Sequence, residues 1–260
     1  MRVLRFLPFV FASILLVRYL PLSAQQTPSA TKDPQAVSIL TQALAVAGGV
    51  TAITAISDYT AAGNATYYTG VNQSINAGVT VRGKGLGQFR IDSNLPLGTR
   101  SESTDGLTTI KYEDGFVKQL HAQAPLNPAR LLLPFLQLSP ALTSPGFSLS
   151  YQGTVDVDGN PAYDIQVQRV LPGGGDPNSP LSRYLTVDYF IDPSTFQIVM
   201  MQDLVPYFAP RQMRYSDFRL VSGVLVPFSI SETVQGQKFR LIQLDQISFN
   251  SGLQDSDFSL

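Results

Sequence analysis

A chain of 260 residues with 18 Lys and Arg against 19 Asp and Glu has no basic surplus to meet a phosphate backbone, which excludes nucleic acid as a partner. It has no cysteine, so no disulfide supports the fold, and its single histidine cannot build a histidine metal cluster. Length and a 44% hydrophobic content are enough for one large domain stabilised by burial.

The N-terminal stretch MRVLRFLPFVFASILLVRYLPLSAQQ puts Arg2 and Arg5 before an apolar run and Ser23 and Ala24 before Gln25. That is the layout of a secretory signal peptide over residues 1–24, cut after Ala24. The alternative is a retained membrane anchor, because Arg18 and Tyr19 extend the run toward spanning length. No cysteine follows, so a lipidated anchor is excluded. Without the three arginines of this segment the balance is 15 basic to 19 acidic residues, a mildly acidic exported protein.

Residues 25–33, QQTPSATKD, read as a flexible polar leader to a single domain over 34–260. Asp33-Pro34 supplies an N-cap and a first-turn proline, Val37, Leu40, Leu44 and Ala47 recur at helical spacing, and Gly48-Gly49 gives the stop. TAITAIS at 51–57 fits either a further helical turn or the lead into a strand. From Tyr59 the period changes to two, with Tyr59, Ala61, Gly63, Ala65 and Tyr67 on one face. Further strands are predicted near 78–84, 87–93, 99–104 and 107–113.

NPARLLLPFLQL at 127–138 has Asn127 to cap it and dense Leu and Phe, which predicts a short buried helix broken or kinked at Pro134. Residues 147–168 read as a hairpin turning at Asp158-Gly159, with Phe147, Leu149, Tyr151, Val155 and Val157 on one face of its first strand. PGGGDPNSP at 172–180 is a flexible hairpin loop. Leu185, Val187, Tyr189 and Ile191 repeat the alternation, the chain turns at Asp192-Pro193-Ser194, and Phe196, Ile198 and Met200 return. RYSDFRLVSGVLVPFSISE at 214–232 is a hairpin turning at Ser222-Gly223, in which Val224, Val226, Phe228 and Ile230 make one apolar face. A last strand lies near 238–249.

Antiparallel strands with one polar face must cover the other. About ten strands at roughly 4.8 Å spacing make a sheet too wide for two helices to shield while flat. The sheet therefore curls: it closes on its own side chains, folds into a sandwich, or stays open with helices over the mouth.

The order of these elements resembles the outer-membrane lipoprotein carrier (LolA-like) group of periplasmic proteins. The likeness rests on YFIDPSTFQIVMM around Phe190–Pro193, on YSDFRLVSGVLVPFSI from Tyr215 to Phe228, and on a close at Asn250, Leu253 and Phe258. It implies a mainly β fold, a curved antiparallel sheet forming an unclosed half-barrel of about ten or eleven strands with helices over the concave apolar face. It also implies a periplasmic, non-enzymatic protein binding a hydrophobic small molecule, a lipid or a lipoprotein in the cleft between sheet and helices. Leu131, Leu132, Leu133, Phe135 and Leu136 would form the lid side, and Val224, Val226, Phe228 and Ile230 would face the cavity with Leu185, Val187 and Tyr189. Arg130 sits in the kind of helix that carries the group's lid arginine. The competing reading is an envelope scaffold or protein-interaction module with a self-filled core, whose partner is another envelope protein.

Other chemistry is weaker. His121, in KQLHAQAP, has no nucleophile elbow nearby. DVDGN at 156–160 resembles the start of a calcium loop, but Tyr163 and Gln166 stand where further acids belong. Glu102, Asp105, Glu113 and Asp114 could pair as glycosidase carboxylates, although acids in turns are ordinary. GKGLGQ at 83–88 lacks the ending of a phosphate loop. Asp217 and Arg219 share a face and can form a cross-strand ion pair at the surface. No cofactor or metal is expected.

Overall fold

A computed structural model describes residues 30–70, 72–105, 108–120, 132–170, 179–205 and 209–260. The proposed signal peptide, the first part of the polar leader, His121, Asn127, Arg130 and Leu131 lie outside these residues.

Helix α1 spans Pro34–Val46. Asp33 caps it, its carboxylate accepting from the backbone N–H of Gln35 and Ala36, and Pro34 occupies the first turn. Its apolar stripe of Ala36, Ile39, Leu40, Ala43 and Leu44 is buried, and each large side chain there contributes about 1.5–3 kcal/mol. Gly48 and Gly49, both at positive φ, turn the chain directly into α2, Gly49–Thr54. The ambiguous 51–57 segment is thus helical in its first half.

Thirteen antiparallel strands follow in one sheet: β1 Asp58–Gly70, β2 Gln73–Lys84, β3 Gln88–Leu95, β4 Gly98–Asp105, β5 Thr108–Lys111, β6 Val117–Leu120, β7 Phe147–Val157, β8 Asn160–Arg169, β9 Thr186–Ile191, β10 Ile198–Val205, β11 Ala209–Val221, β12 Val224–Val234 and β13 Gln237–Phe249. Their order is β6-β5-β4-β3-β2-β1-β13-β12-β11-β10-β9-β8-β7, so β6 and β7 stand at its two ends and, among the described residues, the sheet does not close into a barrel. The expected fold class is right, with more strands than the ten or eleven anticipated; four-residue β6 is too short to show a period.

One face can be followed residue by residue, because directly opposed residues of an antiparallel pair project to the same side. Tyr151, Ile165, Tyr189, Met201, Met213, Glu232, Arg240 and Tyr67 are paired in succession from β7 to β1. A second row, Ile247, Ala61, Val81, Ile91, Glu102 and Ile110, runs from β13 to β5. This is the core face. Helices α1 and α2, a 3-10 turn over Pro134–Gln137 and α3, Leu138–Thr143, pack on it through a single buried cluster. The helix predicted at 127–138 is therefore, among the described residues, a 3-10 turn that begins at Pro134 and runs into α3. A further short helix, α4 (Pro180–Tyr184), capped by Ser179, stands at the end of the predicted loop and had no sequence signal beyond Ser-Pro.

β-Bulges overturn two strict alternations. At Gly153, φ +127°, β7 slips by one residue against β8, so Val155 opposes Ala162 and leaves the face of Leu149 and Tyr151. At Val199 β10 slips against β9, so Ile198 opposes Ile191 on the core face while Met200 opposes Phe190 on the other. Ala162, Phe190 and Met200, with Val157 and Val199, make a small second cluster on the convex side.

Candidate ligand-binding site

The hairpin of β11 and β12 turns at Ser222 and Gly223, both at positive φ, which suits the twist of adjoining strands. Its apolar face meets the helices. Leu225 N–H donates to Ala47 O at 3.0 Å, α2 packs on β12, and Val224, Val226, Phe228 and Ile230 are at most 5% exposed. The Arg219 guanidinium lies 4.3 Å from the Phe228 ring centre and is held there by Asp217 at 2.6 Å; the pair forms within β11, two residues apart, and not across strands as expected. Val187, Tyr189, Leu132 and Phe135 are buried in the same cluster, and Leu136 packs at its margin. Leu185 is separated from this group: it is the half-buried C-cap of α4, just before β9. The residues expected to line a cavity are thus assembled, but packed against one another.

Along one end of the core face runs a belt of charge that sequence reasoning did not anticipate. Arg211 grips Asp203 with two bonds, Nε to Oδ1 at 2.8 Å and Nη2 to Oδ2 at 2.7 Å, and approaches Glu232 at 3.7 Å. Glu232 in turn accepts from Arg240 Nε at 2.5 Å. All four side chains are buried or nearly so. Burial pulls both guanidinium pKa values down, but the carboxylates of Asp203 and Glu232 outweigh it for Arg211, and those of Glu232 and Glu102 for Arg240, so both stay above the ordinary arginine value. Burial likewise raises Tyr215, whose hydroxyl donates to Met201 Sδ at 3.5 Å, so it stays a neutral phenol. Such a network contributes little net stability, since desolvation offsets the attraction, but losing one member would strand a buried charge.

Beside this belt a cleft of about 290 Å³ opens on the core face, lined by Tyr67, Tyr68, Thr69, Ile91, Ser93, Arg100, Glu102, Ile110, Tyr112, Phe239 and Arg240. Tyr67 and Ser93 bond through their hydroxyls at 2.6 Å. Arg100 pairs with Glu113 at 2.8 Å and lies 5.5 Å from the centre of Tyr112. Lys238 approaches Tyr68 at 5.6 Å. Of the four acids weighed as a glycosidase pair, Glu102 lines the cleft, Glu113 is engaged by Arg100, Asp114 accepts the Phe116 N–H, and Asp105 is exposed at the end of β4. The period of two puts Tyr67 on the cleft side, but nothing local indicated that β3, β4 and β13 would join it there. The acids of DVDGN serve their own turn: Asp156 accepts the Gly159 N–H at 2.9 Å and Asp158 pairs with Arg214 at 2.8 Å.

No family model and no curated protein matches the sequence. Solved structures do match. A candidate outer membrane lipoprotein-sorting protein domain from Vibrio parahaemolyticus superposes with a TM-score of 0.57 at 10% identity, over 86% of this chain and 96% of that one. A LolA superfamily protein from Nitrosomonas europaea gives 0.54 at 10% identity, over 86% and 97%. The chain has the LolA-type fold. A DUF1329 family protein from Desulfovibrio piger, at 0.56 and 12% identity over 86% and 97%, has the same architecture. At these identities the LolA-type fold is what is shared, and the chemistry of this chain has to come from its own residues.

Proposed function

We propose that this is an exported, periplasmic, non-enzymatic protein that binds a hydrophobic molecule, a lipid or the acyl part of a lipoprotein, on the concave side of its sheet, and that it acts as a carrier. The observation that carries this reading is the cleft on the open part of the core face, walled by Tyr67, Tyr68, Ile91, Ile110, Tyr112 and Phe239. Outward movement of the helical side would extend it toward Leu132, Phe135 and Leu136, with Val224, Val226, Phe228, Ile230, Val187 and Tyr189 as the opposite wall. An acyl chain burying roughly 300 Å² there gains on the order of 7 kcal/mol before ordering costs. The close packing of Val224, Val226 and Ile230 favours a second reading, an envelope interaction module with a self-filled core and a protein partner.

Native mass spectrometry of the chain from residue 25, prepared from periplasm without detergent, separates the two. The carrier reading expects an adduct that organic extraction identifies as a lipid or acylated peptide. A bare mass that also ignores an added fluorescent fatty acid would leave only the interaction module.

A further inference from the structure

One acid at the cleft is left without an ion-pair partner among the described residues, although Lys238 near Tyr68 balances the count of charges. Arg100 is matched by Glu113 and Arg240 by Glu232, while Arg211 is matched by Asp203 further along the belt. The remaining acid is Glu102. It is half-buried, lines the cleft, sits in register between Ile91 and Ile110, and makes no hydrogen bond or ion pair among the described residues. Its charge acts on Arg240, whose Nε is already committed to Glu232.

Around this unpaired carboxylate stand four aromatic rings, Tyr67, Tyr68, Tyr112 and Phe239. Three of them already have a cation near them, supplied by Lys238, Arg100 and Arg240. Ring faces and a spare carboxylate in a partly desolvated cleft attract positive charge, and a compact ammonium is better matched to the space than a further guanidinium. A fatty acid would instead bring its carboxylate against Glu102, a like-charge contact that desolvation makes costly. We propose that the cleft selects molecules with an ammonium group attached to an apolar body, the ammonium meeting Glu102 and the body lying along Ile91, Ile110 and Tyr112. This rests on the hydrophobic-ligand reading and adds its polar half. An aminolipid headgroup and a free alkylamine share this chemistry.

The test compares probes of equal chain length by calorimetry: dodecylammonium, dodecanol and dodecanoate. The wild-type protein should bind dodecylammonium about tenfold or more tighter than dodecanoate, the effect of one charge-assisted contact. Glu102→Gln, nearly isosteric, should bring the ratio close to one without a change in Tm. In the unaltered protein, added salt should weaken dodecylammonium and leave dodecanol unmoved. Equal binding of all three probes, or a ratio that survives Glu102→Gln, overturns the ammonium selection while leaving the hydrophobic-ligand reading intact; no binding of any probe overturns both. If the ratio holds, dihexanoyl phosphatidylethanolamine binding tighter than dodecylammonium assigns the headgroup source, and the reverse order assigns the free amine.

Discussion

Asp164 is half-buried on the convex face, beside Phe190 of the small second cluster, with its Oδ1 shielded from water and without a hydrogen-bond partner. Burial, and then the nearby Asp188 carboxylate, push its pKa up to about 6. An aspartate in the unfolded chain titrates near 3.9, so between these values the folded state holds the proton more tightly. The contribution to stability is therefore complete below about pH 4 and is lost as the pH rises through about 6. Taken at face value such a shift is worth about 3 kcal/mol, and solvent screening of a half-exposed group reduces it to about 1 kcal/mol. Asp164→Asn should unfold in urea much like the parent at pH 4 and be about 1 kcal/mol more stable at pH 7. A difference that stays constant across that range would show that the carboxyl is ordinary. In AYDIQVQ the alternation assigns Asp164 correctly to the side away from Ile165, but it cannot show that this side has apolar neighbours of its own. Those neighbours, Phe190 and Met200, come from other strands, and a bulge at Val199 puts Met200 there.

At the scale of elements, the junction between α1 and the β11–β12 hairpin decides how the helices sit on the sheet. Gly48-Gly49 reads in the sequence as a helix stop, and it is also a contact. At Gly48, φ +131°, a Cβ would lie 2.7 Å from Gly223 O, whereas at Gly49, φ +78°, it would meet nothing within 4 Å. Both positions carry the backbone strain of an L side chain at positive φ, about 1 kcal/mol, and only Gly48 adds a clash with rigid backbone, about 1–3 kcal/mol more. Gly48→Ala should therefore cost about 2–4 kcal/mol in urea unfolding and Gly49→Ala about 1. Equal losses would mean that the helix slides away from the turn without resistance. Element identity was legible wherever the period was long and unbroken, as in α1 and in β12, whose alternation predicted the buried face of Val224, Val226, Phe228 and Ile230. It failed at Gly153 and Val199, because one extra residue moves everything beyond it to the other face, and a strand seen without its partner does not show where the extra residue is absorbed.

For the whole molecule, thirteen strands invite closure, and the outer edge of β7 is covered at one point. The segment before α1 bridges it there: Leu149 N–H donates to Thr31 O at 2.8 Å and Asp33 N–H donates to Leu149 O at 2.9 Å, while Lys32 Nζ reaches Leu142 O of α3 at 2.6 Å. At Leu149 this leaves no backbone group for a further strand to pair with. The open sheet nevertheless has one core. Leu40, Ile53, Leu132 and Leu138 from the helical side touch a cluster that runs from Val81, Phe89 and Ile91 through Ile242 and Ile230 to Met201 and Ile165. The two halves meet at the β1–β13 ladder, which pairs Tyr59–Tyr67 with Arg240–Phe249 and absorbs its irregularity where Gly63, lacking a Cβ, passes Gln243 O. If this cluster couples the halves, native-state hydrogen exchange should give slow amides of β2 and β3 the same opening free energy as those of β8 and β9, and both should match the global value from urea unfolding. A β1–β6 half that opens about 2 kcal/mol or more below the other would mean that the cleft belongs to a separately yielding unit. The sheet would then move around a ligand, and the helices would stay seated on β7–β12.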